Sequence, residues 1–276
     1  MPKIIFFGNG PLSEYALAVL GKECQVIFHA RDKKDLDEAV RLKLEHKDAH
    51  GVLASFGVLI PSSVLEAFEM VSMPSGEERH EGILNIHPSL LPLYRGASPI
   101  ESAILDGCEK FGVSVMKLVK AMDAGPIYKY ATLENIPYTN GLKELLYKTT
   151  AEAGAAMVLS VIKSKKPIEP VPQNETKATF CSKFTKKDGI LTPDTDTAET
   201  TYRKILAFSH FPKAKYTFFG KNCIILEAHI CEPGETALLP LPCAKNTVLS
   251  VDLLQPEGKR PMDAKSFLNG YGKSRV

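Results

Sequence analysis

Apolar and polar positions divide the chain into two patterns. Up to Ile162, short apolar runs alternate with longer amphipathic ones. Lys3-Ile4-Ile5-Phe6-Phe7 is almost wholly apolar, and Gln25-Val26-Ile27-Phe28 and Val52-Leu53-Ala54-Ser55-Phe56-Gly57 are mostly so. Runs of this length bounded by turns predict buried parallel strands. Between them, Ser13 to Leu20 reads as a helix with Ser13 near its cap. Asp35 to His46 reads as an amphipathic helix with Leu36, Val40 and Leu44 on one stripe. Pro61 to Met70 reads as a short helix with proline in its first turn. Ser72 to Glu81 is polar, with Pro74 and Gly76, and reads as an exposed loop. Gly82 to Gly96 starts as an apolar strand end. Pro99 to Leu105 reads as a helix, 112–118 and 127–131 as strands, and Leu142 to Ile162 as a long helix with Gly154 as a mild weak point.

Strand followed by helix, repeated, predicts an α/β domain with a Rossmann-like sheet over residues 1–162. Residues 163–176 are charged and rich in proline, the composition of an extended linker. Beyond it the pattern changes. After one helix, Ala198 to Phe208, short β-type runs recur at 215–219, 222–226 and 247–254 between glycine and proline turns. Repeated short strands predict a small OB-like β-barrel domain over 177–276.

Composition narrows the function classes little. A net charge of +2 on 276 residues gives no overall polyanion signature. Residues 1–166 carry 19 Lys and Arg against 20 Asp and Glu, and the remainder 15 against 12, so the positive surplus sits in the second half. The six cysteines form no C-x-x-C pair, which argues against a zinc site or a disulfide framework and for reduced thiols in a cytoplasmic protein. No secretory leader is expected. No apolar run approaches the roughly 20 residues of a membrane span, so no membrane partner is expected.

Chemistry concentrates where β-type runs end. Asn85 and His87 stand two apart, on one face of a strand that Pro88 terminates. An amide and an imidazole at a strand's end occupy the place where open α/β sheets bind ligands. A strand tip that is merely solvated is the bland alternative. Gly8-Asn9-Gly10 opens like a dinucleotide-binding turn. The third glycine is replaced by Ser13, however, and no acidic residue closes the second strand to hold a ribose, so a plain turn is the better reading.

Several pieces together resemble the folate-dependent formyltransferases. They are Phe6-Phe7-Gly8, Ser55 to Pro61, Asn85-Ile86-His87-Pro88-Ser89-Leu90-Leu91-Pro92 with Tyr94-Arg95-Gly96-Ala97, and Met122-Asp123-Ala124-Gly125. The second half is similar to the family's methionyl-tRNA branch at Leu206-Ala207-Phe208, Phe211-Pro212, Tyr216-Thr217-Phe218 and Leu254 to Met262. The resemblance implies transfer of a formyl group from 10-formyltetrahydrofolate, yielding tetrahydrofolate, to the amine of initiator methionyl-tRNA. It implies Asn85, His87 and Asp123 as catalytic residues, and Phe56, Leu59, Ser89, Leu90, Leu91 and Pro92 along the folate pocket. No metal and a monomer are expected. The chain departs from that branch in two ways. Its segment from His29 to His50 is too short for the long basic loop of those members, leaving only Arg31, Lys33 and Lys34 as a basic cluster. It also has no Trp. Two alternatives stand beside the reading: a formyltransferase for an amino sugar nucleotide or other small amine, and a non-enzymatic RNA-binding module.

Overall fold

The computed structural model describes residues 1–272. In chain order the elements are β1 (Lys3–Gly8), α1 (Pro11–Glu23), β2 (Gln25–Ala30), α2 (Leu36–Glu45), β3 (Ala49–Ala54), α3 (Ser62–Ala67), β4 (Met70–Ser72), β5 (Glu78–His80), β6 (Ile83–His87), β7 (Arg95–Gly96), α4 (Pro99–Leu105), β8 (Lys110–Lys117), β9 (Ile127–Glu134), α5 (Leu142–Ile162) and β10 (Phe180–Cys181). They continue with α6 (Ala198–Ala207), β11 (Lys215–Phe218), β12 (Lys221–Ile230), β13 (Pro240–Cys243), β14 (Thr247–Pro256), β15 (Met262–Asp263) and α7 (Ala264–Tyr271). Contacts divide the chain into two units. The first comprises Met1–Ile100, Glu109–Ile136 and Glu144–Ser182; the second comprises Glu101–Cys108, Pro137–Lys143 and the chain from Lys183 onward.

The first unit is built on a six-stranded sheet of order β2-β1-β3-β6-β8-β9. Its first four strands run parallel, and β8 and β9 return antiparallel. Alternation along each strand sorts residues between two apolar layers. Ile4, Phe6, Val52, Ala54, Leu84 and Ile86 pack with Leu12, Ala16 and Leu20 of α1 and Ala151, Ala155 and Val158 of α5. Ile5, Phe7, Leu53 and Ile83 pack with Leu36 and Ala39 of α2 and Val64 and Phe68 around α3. Each fully buried Phe of β1 is worth roughly 1.5–3 kcal/mol of transfer free energy. By the same alternation Asn85 and His87 share the face of Ile83.

Several elements differ from the expectation. α1 begins at Pro11, with Pro at its first turn and Gly10 as the cap; Ser13 is buried inside the helix instead of capping it. Fixed φ and a missing N–H suit proline to that place. The inward stripe of α2 is Leu36, Ala39 and Lys43, while Leu44 is exposed. Lys43 is tolerated there because its ammonium donates to the carbonyls of Lys47 (2.9 Å) and Ala49 (2.7 Å). Burial pushes its pKa down to about 8. The buried strand read from Val52 starts earlier, at Ala49. The polar stretch 72–81 is mostly a hairpin, β4 against β5, with Arg79 and Glu81 buried. Gly154 is a requirement rather than a weak point, since a Cβ there would meet Ile86 Cγ2 at 2.4 Å. α5 is long and apolar enough to cross a membrane by length and composition, contrary to the expectation that no run reaches that size. Its apolar residues instead line the core of this unit.

The stretch expected as a linker, 163–176, belongs to the first unit. Val171 exchanges both backbone hydrogen bonds with Ile127 at 2.8 Å, and β10 then pairs in parallel with β7.

The second unit is the small OB-like barrel domain. Its antiparallel sheet has the order β11-β12-β14-β13, with β15 on β14. Register shifts near Glu227 mark a bulge in β12, the device that bends a strand. Ile205, Leu206 and Phe208 of the α6 region, Phe267 of α7, and Ile225, Leu249, Val251 and Leu254 of the sheet are buried. Thr197 caps α6 and Asp263 caps α7 through their side-chain oxygens.

Candidate active site

The order 2-1-3-6 places the change of winding direction at β1 and β3. The carboxyl ends of these strands, with that of β6, are the expected ligand edge of such a sheet. The turns after β1 and β3 are joined there by Asn9 N–H donating to the Ser55 carbonyl at 3.0 Å.

Asn85 and His87 sit at this edge and are 4% and 5% exposed. The Asn85 backbone is paired with Leu53 and Met116 on its two sides. Its side-chain amide has no hydrogen-bond partner within the described residues, although neighbouring polar side chains are well supplied. The amide thus keeps its hydrogen-bonding capacity open at the ligand edge.

The loop after β6 is fixed by two serines. Buried Ser114 of β8 donates to the Ser89 carbonyl (2.8 Å) and accepts from Leu91 N–H (3.1 Å). Ser89 Oγ donates to the Leu93 carbonyl at 2.6 Å. The loop then brings the Tyr94 carbonyl to 2.9 Å from His87 Nε2. A carbonyl only accepts, so Nε2 carries the proton and Nδ1 is left for other use. Nδ1 lies 3.7 Å from Asp123 Oδ2, beyond hydrogen-bond length. The same carboxylate oxygen accepts from Gly96 N–H at 2.8 Å. Ser55, Tyr94 and Asp123, three residues of these loops, have φ of 54°, 57° and 47°. Left-handed backbone at a non-glycine costs of the order of 1 kcal/mol, and such residues gather at functional sites.

Asn85, His87 and Asp123 are therefore brought together. The residues expected along the folate pocket are not all alike. Ser89 and Leu91 are buried, and Leu90 and Pro92 are half-buried. Phe56 is in the core, edge-on to Phe7 with ring centres 5.8 Å apart. Leu59 is 80% exposed. The chain thus sets these two residues in different environments. Sequence reasoning missed Ser114, whose only signal is a serine in the apolar alternation of β8, and the contacts of Tyr94 and Gly96.

Two features lie in the second unit and share no residue with this site. A cavity of about 660 Å³ is lined by residues including Leu191, Tyr216, Cys223 and Gln255. Among the described residues, His229, Cys231 and Glu235 are the one group with the donor types and proximity for a metal ion. Both ring nitrogens of His229 are already engaged, by Asp252 and Glu235 at 2.8 Å each.

Residues 17–162 match the family model for formyl transferase, and residues 183–272 match that for the formyl transferase C-terminal domain. A curated methionyl-tRNA formyltransferase of Methylobacillus flagellatus is 35% identical over 248 residues, 85% of this chain and 75% of the relative. The enzyme of the same name from Helicobacter pylori is 32% identical over 88% of this chain and 76% of its own. Among solved structures, methionyl-tRNA formyltransferase from Clostridium thermocellum matches with a TM-score of 0.63 at 18% identity, over 95% of this chain and 99% of that one. HypX from Aquifex aeolicus, solved with tetrahydrofolic acid, matches at 0.72 and 18% identity over 99% of this chain, which spans 48% of HypX. At such identities the structural likeness speaks for the fold. The two family models and the curated relatives carry the assignment: the chain belongs to the formyltransferase family, with the methionyl-tRNA formyltransferases.

Proposed function

We propose that the protein transfers the formyl group of 10-formyltetrahydrofolate to the amino group of initiator methionyl-tRNA, with Asn85, His87 and Asp123 as its catalytic residues. The observation that carries the assignment of the site is the unpartnered Asn85 amide beside the His87–Asp123 gap at the sheet's ligand edge. The amine nitrogen attacks the formyl carbon, and negative charge grows on the formyl oxygen. Asn85 Nδ2–H is free to meet that oxygen. His87 meets it only through Nδ1, when protonated, because Nε2–H is held by Tyr94. As the bond from carbon to the folate nitrogen breaks, the amine's proton must leave and the folate nitrogen must gain one. Asp123, 3.7 Å from His87, is the base that relays it directly or through a water.

Folate fits the loop that Ser89, Leu90, Leu91 and Pro92 build, next to these groups. For the tRNA, exposed Lys213, Lys221, Lys259 and Arg260, with half-buried Lys215, offer phosphate contacts on the second unit. Such contacts fix position, and their affinity falls steeply with salt. A cytoplasmic monomer fits this role.

The test is formylation of charged initiator tRNA by the purified protein at two salt concentrations. Turnover that falls with salt through KM is the expected result. An amino sugar nucleotide, offered in parallel, covers the reading that the short segment between β2 and β3 keeps open: the chain there holds only one short turn and α2. Formylation of that nucleotide and none of the tRNA would overturn the acceptor. Binding of tRNA with no formyl transfer to either acceptor would overturn the enzyme.

A further inference from the structure

The Asp123 turn has a second set of attachments that the reaction itself does not call for. Gln173 Nε2 donates to two of its carbonyls, Asp123 O at 2.8 Å and Gly125 O at 2.7 Å. The other end of the same amide, Oε1, accepts from Arg95 Nε (3.0 Å) and Nη2 (2.8 Å). With a guanidinium on one side and two carbonyls on the other, the amide has only one satisfied orientation. Arg95 is 2% exposed, and its Nη1 and Nη2 also donate to the Glu175 carboxylate at 2.8 and 2.7 Å. Its backbone N–H is tied to the Thr179 carbonyl at 2.9 Å.

The neighbours of Arg95 close the circuit. Tyr94 accepts from the His87 ring, and Gly96 donates to the Asp123 carboxylate. Three consecutive residues therefore fix the imidazole, the backbone of the Asp123 turn and the Asp123 carboxylate. Gln173 is the link that carries the position of Arg95 to the turn. Asp123 needs such a link, because its φ of 47° is unfavourable for a residue with a Cβ. Two hydrogen bonds to the carbonyls that flank Ala124–Gly125 offset that cost and hold the turn in one conformation.

We propose that Gln173 is a positioning residue: it acts on the reaction through Asp123, by holding the Asp123 turn at the distance from His87 Nδ1 that the proton relay needs. The proposal rests on the reading of Asn85, His87 and Asp123 as the catalytic set. It gives the proline-rich stretch after α5 a role in chemistry that its composition conceals.

The experiment compares Gln173→Leu, Gln173→Glu, Asp123→Asn and the double variant Gln173→Leu/Asp123→Asn in the full chain. Gln173→Glu keeps an acceptor for Arg95 and puts a carboxylate oxygen where the two donors were, facing the two carbonyls, so it breaks the same link if the leucine variant does not fold. Either Gln173 variant should lower kcat for tRNA formylation about 10–100-fold, with KM for the folate donor within about twofold. In the Asp123→Asn background the leucine change should cost little more, since the two residues act as a unit. Amide exchange at Gly96, whose N–H is held by the Asp123 carboxylate, should quicken at least about tenfold in either Gln173 variant and thus reports the turn without assaying activity. Losses that multiply in the double variant, a rise in KM with kcat unchanged, or Gly96 exchange at the original rate would overturn the proposal. If Asp123→Asn is itself fully active, the catalytic reading falls and the proposal with it. If Asp123→Asn is inactive while Gln173→Glu folds and turns over normally, the proposal falls alone.

Discussion

Strand β6 is bracketed by two histidine–carboxylate pairs, and they are built differently. Before it, His50 Nδ1 meets Glu81 Oε1 at 2.6 Å, with side chains 6% and 1% exposed. After it, His87 Nδ1 stands 3.7 Å from Asp123 Oδ2, with side chains 6% and 14% exposed. The first pair is closed. Its carboxylate also faces Arg79 at 3.8 Å, and the Glu81 carbonyl accepts from Tyr128. Glu81 Oε2 and Arg79 Nε are buried without a hydrogen-bond partner, so the pair is closed by the single short contact between His50 Nδ1 and Glu81 Oε1. The second pair is open by about the amount that keeps a direct hydrogen bond from forming. Histidine burial is the same in both, so burial does not distinguish structure from chemistry here. What distinguishes them is whether the histidine and the carboxylate lie within hydrogen-bond reach of each other.

That contrast can be broken by substitution. The largest effect expected is on stability. Glu81→Ala strands His50 and Arg79 inside the protein and should cost about 3–5 kcal/mol. Urea denaturation measures it, while kcat of the folded fraction stays within about twofold. On the open side the loss should be in rate. His87→Ala and Asp123→Ala should each lower kcat about 10²–10³-fold with urea midpoints near the parent's, and combining them should add little. A Glu81 variant that folds well but does not turn over, or an active His87 variant, would erase the distinction.

Ser114→Ala tests whether the open geometry depends on its loop. It removes a donor to Ser89 and an acceptor for Leu91, and should cost about 1–3 kcal/mol in stability. Turnover should fall together with it, whereas Thr149→Ala, at a hydroxyl on the exposed side of α5, should leave turnover alone. The smallest effect concerns a third histidine. Hydrogen bonds that the His229 ring donates to Asp252 first, then to Glu235, hold its pKa above the ordinary value. A group raised on folding adds stability below its unfolded pKa and loses it as pH rises through the folded one. The second unit should therefore lose stability as pH climbs from about 6 upward, by less than about 1 kcal/mol since the pair is half exposed. His229→Gln should flatten that slope in thermal melts across pH.

Much of this was legible from the residues, and the misses have a common cause. Leu142–Ile162 and Pro99–Leu105 could be bounded from pattern alone, because local periodicity and flanking turns decide where those helices lie. The pairing of Asn85 with His87 followed from the two-residue period of a strand. What escaped depends on partners far along the chain. Arg79 looked like part of a polar loop, yet its guanidinium donates to Val161 O and Ser164 O, more than 80 residues away. Gln173 and Glu175 looked like linker residues, yet they serve Arg95. Lys43 was hidden for the opposite reason: a charged residue is expected to face water unless its head finds carbonyls. The exposure of Leu59 was likewise not given by its motif, because a motif gives identity at a position and not the surface around it.

The β4–β5 hairpin carries one more consequence. Its tip, from Pro74 to Glu78, is exposed, whereas both legs are fastened: β4 and β5 to each other, and Arg79 to the carbonyls at the end of α5. A protease that reached the tip would cut the polypeptide without releasing either piece. The nicked molecule would remain one body, with the cut ends anchored on opposite sides of the wound. Asn85, His87, Asp123 and Gln173 would lie in the larger fragment, while the turns after β1 and β3, with Asn9 and Ser55, would stay with the smaller one. For this chain, an intact backbone and an intact active site are separable properties.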